Sequence, residues 1–120
     1  VYLLGVTGGR MDHTLSNLYL LEYLWENGAE GTLIDDRNRI AYHGGGDRRL
    51  RREPHYRFFG LIPLDDTLRH VYLKGFYYPL SDATVHRSAP ISVSNEPVED
   101  ELFVSMEGRA FMVFSRDTDA

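Results

Sequence analysis

The residues VYLLGVTGGRMDHTLSNLY (Val1–Tyr19) join an apolar run, a pair of glycines and the start of an amphipathic helix. Residues 2–6 are apolar apart from one glycine, which is typical of a strand covered on both faces, as in parallel sheets. Gly8 and Gly9 follow as a turn, and Arg10 and Asp12 come directly after them. In α/β proteins, this order of strand, glycine turn and helix places backbone N–H groups and a positive helix end beside a phosphate. The stretch therefore predicts the last strand and helix of an α/β unit.

The helix is predicted by apolar residues that recur at spacings of three and four, namely Leu15, Leu18, Leu21 and Trp25. Asn27 and Gly28 predict the end of the helix, because these residue types often adopt the left-handed conformation that terminates helices. Because the chain begins inside a strand and without methionine, we expect it to be part of a longer protein. We place the α/β piece at residues 1–29.

In residues 30–120 the sequence pattern changes to short predicted strands separated by turns. This pattern favours an antiparallel β-sandwich or barrel. Residues 35–38 and 44–47 have strong turn chemistry. Two alternating segments, 102–106 and 110–114, are predicted to pair as a hairpin through Glu107 and Gly108. The expected fold class is thus an α+β fragment, in which a strand plus a helix precede an antiparallel β-sandwich domain.

Composition excludes several classes of protein. A chain of 120 residues with 42% hydrophobic residues can bury a core but has little room for two complete domains. The absence of cysteine excludes disulfides and thiolate chemistry, and a net charge of -5 argues against general nucleic-acid binding. No apolar run approaches the roughly 20 residues of a membrane span, and no signal peptide opens the chain. We therefore expect no membrane partner and a cytoplasmic location.

The first candidate site is the glycine turn with the helix start. Gly8 and Gly9 would let the backbone approach a polyphosphate, Arg10 would bind its oxygens, and Asp12 would offer a carboxylate to magnesium. The alternative is a tight turn in which Asp12 caps the helix and Arg10 is solvated. Spacing alone leaves the two interpretations equal, because the pattern is weak without context. The adjacent His13 is assigned no catalytic role, since a lone histidine near a helix start is more often a capping or packing residue.

Thr14 and Asn17 lie three residues apart in the first turns of the helix, so both can face the side to which the loop points. Either could form a hydrogen bond with a nucleotide. The residues alone favour the alternative, in which both are solvent-facing helix residues.

The second candidate site is Ser94, Asn95 and Glu96, before Pro97. Hydroxyl and amide groups can bind the edge of a heteroaromatic ring, and a carboxylate favours a cation. The alternative, a turn before proline, is favoured by the residues alone. Tyr77, within Phe76-Tyr77-Tyr78, could stack on a ligand, although clustered aromatic residues usually belong to the core.

The remaining charged features favour structural roles. The basic run at residues 48–52 is interpreted as a charged edge strand and not as a nucleic-acid site. His43, His55, His70 and His86 lack the spacing of metal ligands, which makes a zinc site improbable.

Several segments resemble the bacterial thiamine pyrophosphokinases. Residues 7–17, TGGRMDHTLSN, match the G-GGR-x-DHT-x-x-N segment of that family. Further matches follow in family order at residues 33–38 (LIDDRN), 56–59 (YRFF), 75–80 (GFYYPL) and 91–96 (ISVSNE). They cover nearly the whole chain.

This resemblance implies transfer of pyrophosphate from ATP to the hydroxyethyl group of thiamine, giving thiamine diphosphate and AMP. It implies phosphate or ATP binding by Gly8, Gly9, Arg10, Thr14 and Asn17. Catalysis would involve Arg10 and Asp12, with Asp12 as a ligand of Mg²⁺ bound with ATP. Thiamine would be bound by Ser94, Asn95, Glu96 and Tyr77.

Members of this family are homodimers with the active site at the subunit interface. They also carry further acidic magnesium ligands in a half that precedes the segments matched here. We therefore expect the 120-residue chain alone to be inactive or nearly so. Two rival classes stay open, namely a non-catalytic small-molecule-binding module with this fold and a dimerisation domain without a ligand.

Overall fold

The protein folds into two β-sheets and one helix, as seen in a computed structural model that describes residues 1–4, 10–89 and 93–117. The five-stranded sheet has the order β1-β2-β3-β9-β5 and the four-stranded sheet the order β4-β8-β6-β7. All the pairs are antiparallel except β1 with β2 in the described residues. The elements are β1 (Tyr2–Leu4), α1 (Met11–Glu26), β2 (Thr32–Ile34), β3 (Asn38–His43), β4 (Gly46–Arg51), β5 (Phe58–Pro63), β6 (Thr67–Lys74), β7 (Leu80–His86), β8 (Glu101–Glu107) and β9 (Ala110–Ser115).

The main core lies between the two sheets. Phe59 and Met112 enter it from the five-stranded sheet, and Leu68, Val71 and Val104 enter it from the four-stranded sheet, all fully buried. Alternate residues on each strand face inward because side chains along a strand point to opposite faces in turn. The mostly antiparallel two-sheet architecture that the sequence predicted is therefore confirmed.

The helix α1 covers one end of the outer face of the five-stranded sheet, over β2 and β3. Its fully buried Leu21 packs in a second apolar cluster with Leu33, Ile40, Tyr42 and Phe111. The helix ends as predicted, with Asn27 as its C-cap and Gly28 at a φ of 79°. Within the described ranges, no helix is long and apolar enough to cross a membrane.

The strand β1 pairs in parallel with β2, so residues on both sides of the predicted boundary near residue 30 share one sheet. The boundary itself stays a prediction. The expectation that β1 is covered on both faces is wrong for the described residues, because Tyr2 and Leu4 are 64% and 68% exposed. Leu3 packs against the helix cluster, whereas Tyr2 and Leu4 lie on the opposite face of the strand and stay exposed.

The predicted hairpin of residues 102–106 with 110–114 is also wrong. Strand β8 pairs with β4 and β6, whereas β9 pairs with β3 and β5 in the opposite sheet. The chain crosses between the sheets at Gly108, which has a φ of 120°. Alternation has the same period in a hairpin and in a crossing between two packed sheets, so the sequence pattern could not separate them.

Candidate functional site

The second candidate site lies at a corner of the sandwich, where residues 93–97 run beside the start of β5. Phe59 and Asn95 exchange two backbone hydrogen bonds of 2.7 and 2.9 Å. Phe76 is buried and packs on Phe59 with ring centroids 4.6 Å apart. The core aromatic residues therefore anchor both segments that carry the predicted ligand contacts. Of the predicted strand at residues 91–94, positions 91 and 92 lie outside the described residues.

Ser94 has the left-handed conformation, with a φ of 61°, and its side chain reaches solvent. A non-glycine residue in this region is strained and persists only where its neighbours hold it, and such strain is common where ligands bind. The structure thus places the Ser94 hydroxyl on a tightly held and exposed bend.

Asn95, in contrast, is 3% exposed, and its amide contacts the protein itself. Its Oδ1 accepts hydrogen bonds from the backbone N–H groups of Tyr78 and Glu96, both at 2.9 Å. Its Nδ2 donates to the carbonyl oxygen of Tyr78 at 2.8 Å. The amide therefore joins the turn at residues 75–79 to the segment that carries Ser94.

Tyr77 and Tyr78 are 61% and 62% exposed, and their rings meet edge to face with centroids 4.8 Å apart. These two residues lie in the bend between β6 and β7 and not in a strand. Only Phe76 of the three aromatic residues belongs to the core. Tyr77 is consequently free of the core and next to Glu96, whose carbonyl oxygen accepts its N–H at 2.8 Å.

The carboxylate of Glu96 is paired with Arg57, with 3.0 Å between Oε1 and Nε. Arg57 also lies over the ring of Phe58, 5.1 Å from its centroid. A cationic ligand at Glu96 would therefore compete with an existing guanidinium. The role of Arg57 was missed from the sequence, although the YRFF segment that contains it was recognised.

Beside Ser94, a groove of about 340 Å³ runs along the outer face of β5 and β9. Its floor is apolar and its polar groups are a few hydroxyl and carboxyl groups, which is the usual character of a small-molecule site. Outward residues of the two strands form the floor, and Gly60 leaves the sheet surface open there. The lining residues are Phe58, Phe59, Gly60, Ile62, Val93, Ser94, Val113, Ser115 and Asp117. Alternation along β5 and β9 could have identified Phe58, Val113 and Ser115 as outward-facing.

At the first candidate site, Arg10 and Asp12 form an ion pair of 2.9 Å between Nη2 and Oδ2, and both side chains are largely exposed. Arg10 is the N-cap of α1 and makes no side-chain capping bond. Asp12 Oδ1 accepts the N–H of His13 at 3.0 Å, so Asp12 satisfies one of the free N–H groups at the helix start. The carboxylate combines the predicted capping role with exposure to solvent.

Gly8 and Gly9 lie outside the described residues. Thr14 and Asn17 are both half-buried on α1, and Thr14 Oγ1 makes a long contact of 3.5 Å with the carbonyl oxygen of Arg10. Among the described residues, no cluster of three or more histidine, cysteine, aspartate or glutamate side chains could hold a metal ion. Asp12 is therefore a lone carboxylate in this part of the chain, and a magnesium ion there would need further oxygen ligands, such as those of a bound phosphate.

The basic run lies on β4, at the edge of the four-stranded sheet, as predicted for an edge strand. Arg48 packs over Trp25 at 5.5 Å and Arg49 over Phe103 at 5.3 Å from the ring centroids. Two of these cations thus cover aromatic surface of the same domain.

Comparisons with known proteins identify relatives of this chain. Residues 48–109 match the family model described as thiamin pyrophosphokinase, vitamin B1 binding domain. A thiamine pyrophosphokinase of Bacillus subtilis (strain 168) is 28% identical over 119 residues, covering 99% of this chain and 55% of that protein.

Solved structures of relatives have the same fold. The crystal structure of thiamine pyrophosphokinase from Bacillus subtilis matches with a TM-score of 0.92 and 29% identity, over 98% of this chain and 55% of that one. The enzyme from Geobacillus thermodenitrificans matches with a TM-score of 0.89 and 29% identity, over 98% of this chain and 54% of that one. The chain spans a little over half the length of these relatives. Since the family model covers more than half of the chain, this protein belongs to the family of thiamin pyrophosphokinase vitamin B1 binding domains.

Proposed function

We propose that this chain is the thiamine-binding part of an enzyme that transfers pyrophosphate from ATP to the hydroxyethyl group of thiamine, giving thiamine diphosphate and AMP. The observation that carries the proposal is the family match over residues 48–109, which spans β5 to β8 and the Ser94 corner. Bacterial relatives over 98% or more of the chain are named thiamine pyrophosphokinases.

Thiamine occupies the groove along β5 and β9 in this proposal. The apolar floor suits flat heterocyclic rings, and Phe58 offers aromatic surface. Ser94 supplies a hydroxyl that can donate and accept at a ring edge. Asp117 supplies a carboxylate that favours the positive thiazolium ring, whereas the carboxylate of Glu96 is already paired with Arg57.

The phosphates of ATP bind at the start of α1. The guanidinium of Arg10 matches phosphate oxygens in shape and charge, and the helix N-terminus adds a favourable dipole. Gly8, Gly9, Thr14 and Asn17 complete the proposed phosphate and nucleotide contacts. Asp12 would be one ligand of Mg²⁺, which neutralises phosphate charge when it is bound with ATP.

The chain's own residues act by orientation and charge. Pyrophosphoryl transfer needs the attacking hydroxyl, the β-phosphorus and the leaving AMP oxygen in line, with little covalent work by side chains. The groove would hold thiamine so that its hydroxyethyl arm leaves the apolar floor. Arg10 would stabilise the charge that shifts to the phosphate oxygens during transfer.

We further propose a cytoplasmic homodimer in which the groove of one subunit faces the phosphate site of its partner. This part of the proposal is supported by exposed apolar residues on β1 and α1, such as Leu4, Met11 and Tyr19, which suit contact with further protein. In this proposal the 120-residue chain lacks part of the catalytic site and has no measurable transferase activity.

Calorimetric titration of the chain with thiamine tests the binding part of the proposal. We expect thiamine to bind, and Ser94→Ala to weaken binding roughly tenfold through loss of one polar contact. Ser88→Ala is the matched control, because Ser88 is also exposed but lies in the turn after β7. Equal affinities of the two variants would remove Ser94 from the site, and absence of binding in the unaltered chain would contradict the proposal.

Release of AMP from ATP and Mg²⁺ tests the catalytic part. We expect no thiamine-dependent AMP release by the chain alone. In a longer form of the protein that contains a preceding domain, Arg10→Ala and Asp12→Ala should each lower the rate at least a hundredfold. Full activity of the 120-residue chain would contradict the proposed division of the site.

A further inference from the structure

We infer that Asn95 is a positioning residue, whose amide orders the turn that carries Tyr77 and Tyr78 and does not itself contact the ligand. The identity of the ligand as thiamine rests on the proposed function. The inference replaces the direct ligand contact that the SNE motif suggests for this side chain.

The hydrogen-bonding capacity of the amide is largely used inside the protein. An asparagine oxygen has two lone pairs, and both accept backbone N–H groups, from Tyr78 and from Glu96. One of the two N–H groups on Nδ2 donates to the Tyr78 carbonyl oxygen. With an exposure of 3%, the side chain has little surface left for a ligand.

The same three bonds hold a piece of backbone that belongs to no strand. The N–H and the carbonyl oxygen of Tyr78 both pair with the Asn95 amide, so one side chain replaces a strand partner for this residue. The N–H of Tyr77 is held by the Glu96 carbonyl oxygen. The backbone that carries the two exposed tyrosine rings is therefore held against residues 95 and 96.

The bend at Ser94 depends on the same anchor. Ser94 keeps its φ of 61° while the next residue is fixed by two main-chain bonds to Phe59 and by the buried amide. Loss of the amide leaves polar groups of Tyr78 and Glu96 without partners, which favours rearrangement of both segments. The positions of the Ser94 hydroxyl and of the Tyr77 ring thus depend on a side chain that touches neither the groove nor the solvent.

The test compares Asn95→Ala with Asn27→Ala, a control that removes an exposed amide which bonds the Tyr23 carbonyl oxygen on α1. The first measurement is amide hydrogen exchange of Tyr78 and Glu96 in the ligand-free chain. We expect exchange at both to accelerate at least tenfold in Asn95→Ala and to stay unchanged in Asn27→Ala. Unchanged exchange in a folded Asn95→Ala protein would overturn the inference.

The second measurement is a double-mutant cycle on thiamine affinity with Asn95→Ala and Ser94→Ala, because Ser94 lines the groove. If Asn95 acts by holding the bend, Ser94→Ala weakens binding roughly tenfold in the unaltered chain and less than twofold in Asn95→Ala. If the two substitutions instead weaken binding by independent factors that multiply, Asn95 contacts the ligand directly, and the inference is overturned. Should Asn95→Ala not fold, the same cycle is run with Asn95→Asp, which keeps both acceptor contacts but sets a carboxylate oxygen against the Tyr78 carbonyl oxygen and should therefore also loosen the turn. A chain that binds no thiamine contradicts the proposed function, while the exchange rates still decide whether the amide holds the turn.

Discussion

The stability of the sandwich should fall between pH 7.5 and 5.5 because of His43. This side chain is fully buried, on the inner face of β3, and its Nε2 lies 3.1 Å from the Val104 carbonyl oxygen on β8 in the opposite sheet. Gly45 donates its N–H to Nδ1 at 3.0 Å. These two contacts fit a neutral ring that carries its proton on Nε2. The hydrogen bond that Nε2 donates to Val104 links the two sheets.

Burial lowers the pKa of His43 from its ordinary value of 6.5, and the positive charge of Arg48 lowers it further. The bond to Val104 and the negative charge of Asp47 act in the opposite direction but more weakly than burial. Since the unfolded chain then binds a proton at a higher pH than the folded chain, folding is opposed as the pH falls below 6.5. With 6.5 as the pKa of the unfolded chain and a lower pKa in the folded protein, the free energy of unfolding can decrease by at most about 1.4 kcal/mol between pH 7.5 and 5.5.

Urea unfolding at several pH values measures this change, with His43→Gln as the reference. Glutamine supplies a donor and an acceptor but does not titrate, so the other titrating groups contribute equally to both proteins. We expect His43→Gln to cost about 1–2 kcal/mol at pH 7.5, through imperfect packing and geometry. The difference between the proteins should shrink as the pH falls to 5.5, by at most about 1.4 kcal/mol. Parallel curves for the two proteins would show that His43 is not held neutral and would refute the reasoning.

Three further predictions concern single positions. A Cβ at Gly44 would lie 2.4 Å from the Nε1 of Trp25, so Gly44→Ala should displace the tryptophan, change its fluorescence and lower the unfolding free energy by about 1–3 kcal/mol. Hydrogen bonds from Arg109 lower the pKa of Asp65, and the stability that this pair provides is lost as the pH falls through the folded pKa, below the ordinary value of 3.8. Urea unfolding of Asp65→Asn at pH 7 should show a loss of roughly 0.5–1 kcal/mol, because the pair is partly exposed. Ser94→Gly should relieve the left-handed strain and raise the free energy of unfolding by up to about 1 kcal/mol, while it weakens thiamine binding in the same sample. A lower free energy of unfolding in Ser94→Gly would show that Ser94 is not strained.

Local features of the fold could be predicted from the sequence, whereas the assignment of strands to sheets could not. The turn at residues 35–38 forms as its chemistry predicts, with Asp35 Oδ1 accepting the N–H groups of Arg37 and Asn38 at 2.8 and 2.7 Å. Such contacts span three residues or fewer, so they are visible in a short window. The sheet to which β8 or β9 belongs depends instead on the strands with which each one pairs, and those strands are distant in sequence. A crossing between the sheets at Gly108 also has the same local sequence pattern as a hairpin.

The β7 strand and the candidate site show the same limit. Residues 80–86 read LSDATVH, with only Leu80 and Val85 as large apolar residues, so periodicity did not indicate this strand. The SNE motif was found, but the distinction between an exposed Ser94 and a buried Asn95 depends on the Tyr78 backbone, which lies 17 residues away from Asn95. Residue types can thus identify a site without telling which of its members meet the ligand.

The groove lies open because α1 covers only part of the outer face of the five-stranded sheet. The outer face of the five-stranded sheet is covered by α1 over β2 and β3, while the outer residues of β5 and β9 next to Ser94 line an open groove. Phe111 on β9 packs under the helix cluster, whereas Ser115 on the same face of that strand lines the groove. The outer face of β9 therefore begins in the buried cluster under α1 and ends in the candidate binding site. A substitution that lengthens the apolar outer face, such as Ser115→Leu, should fill the groove without disturbing the buried cluster, so it should reduce thiamine binding at unchanged stability. A loss of stability with unchanged binding would mean that the groove is part of the structural core.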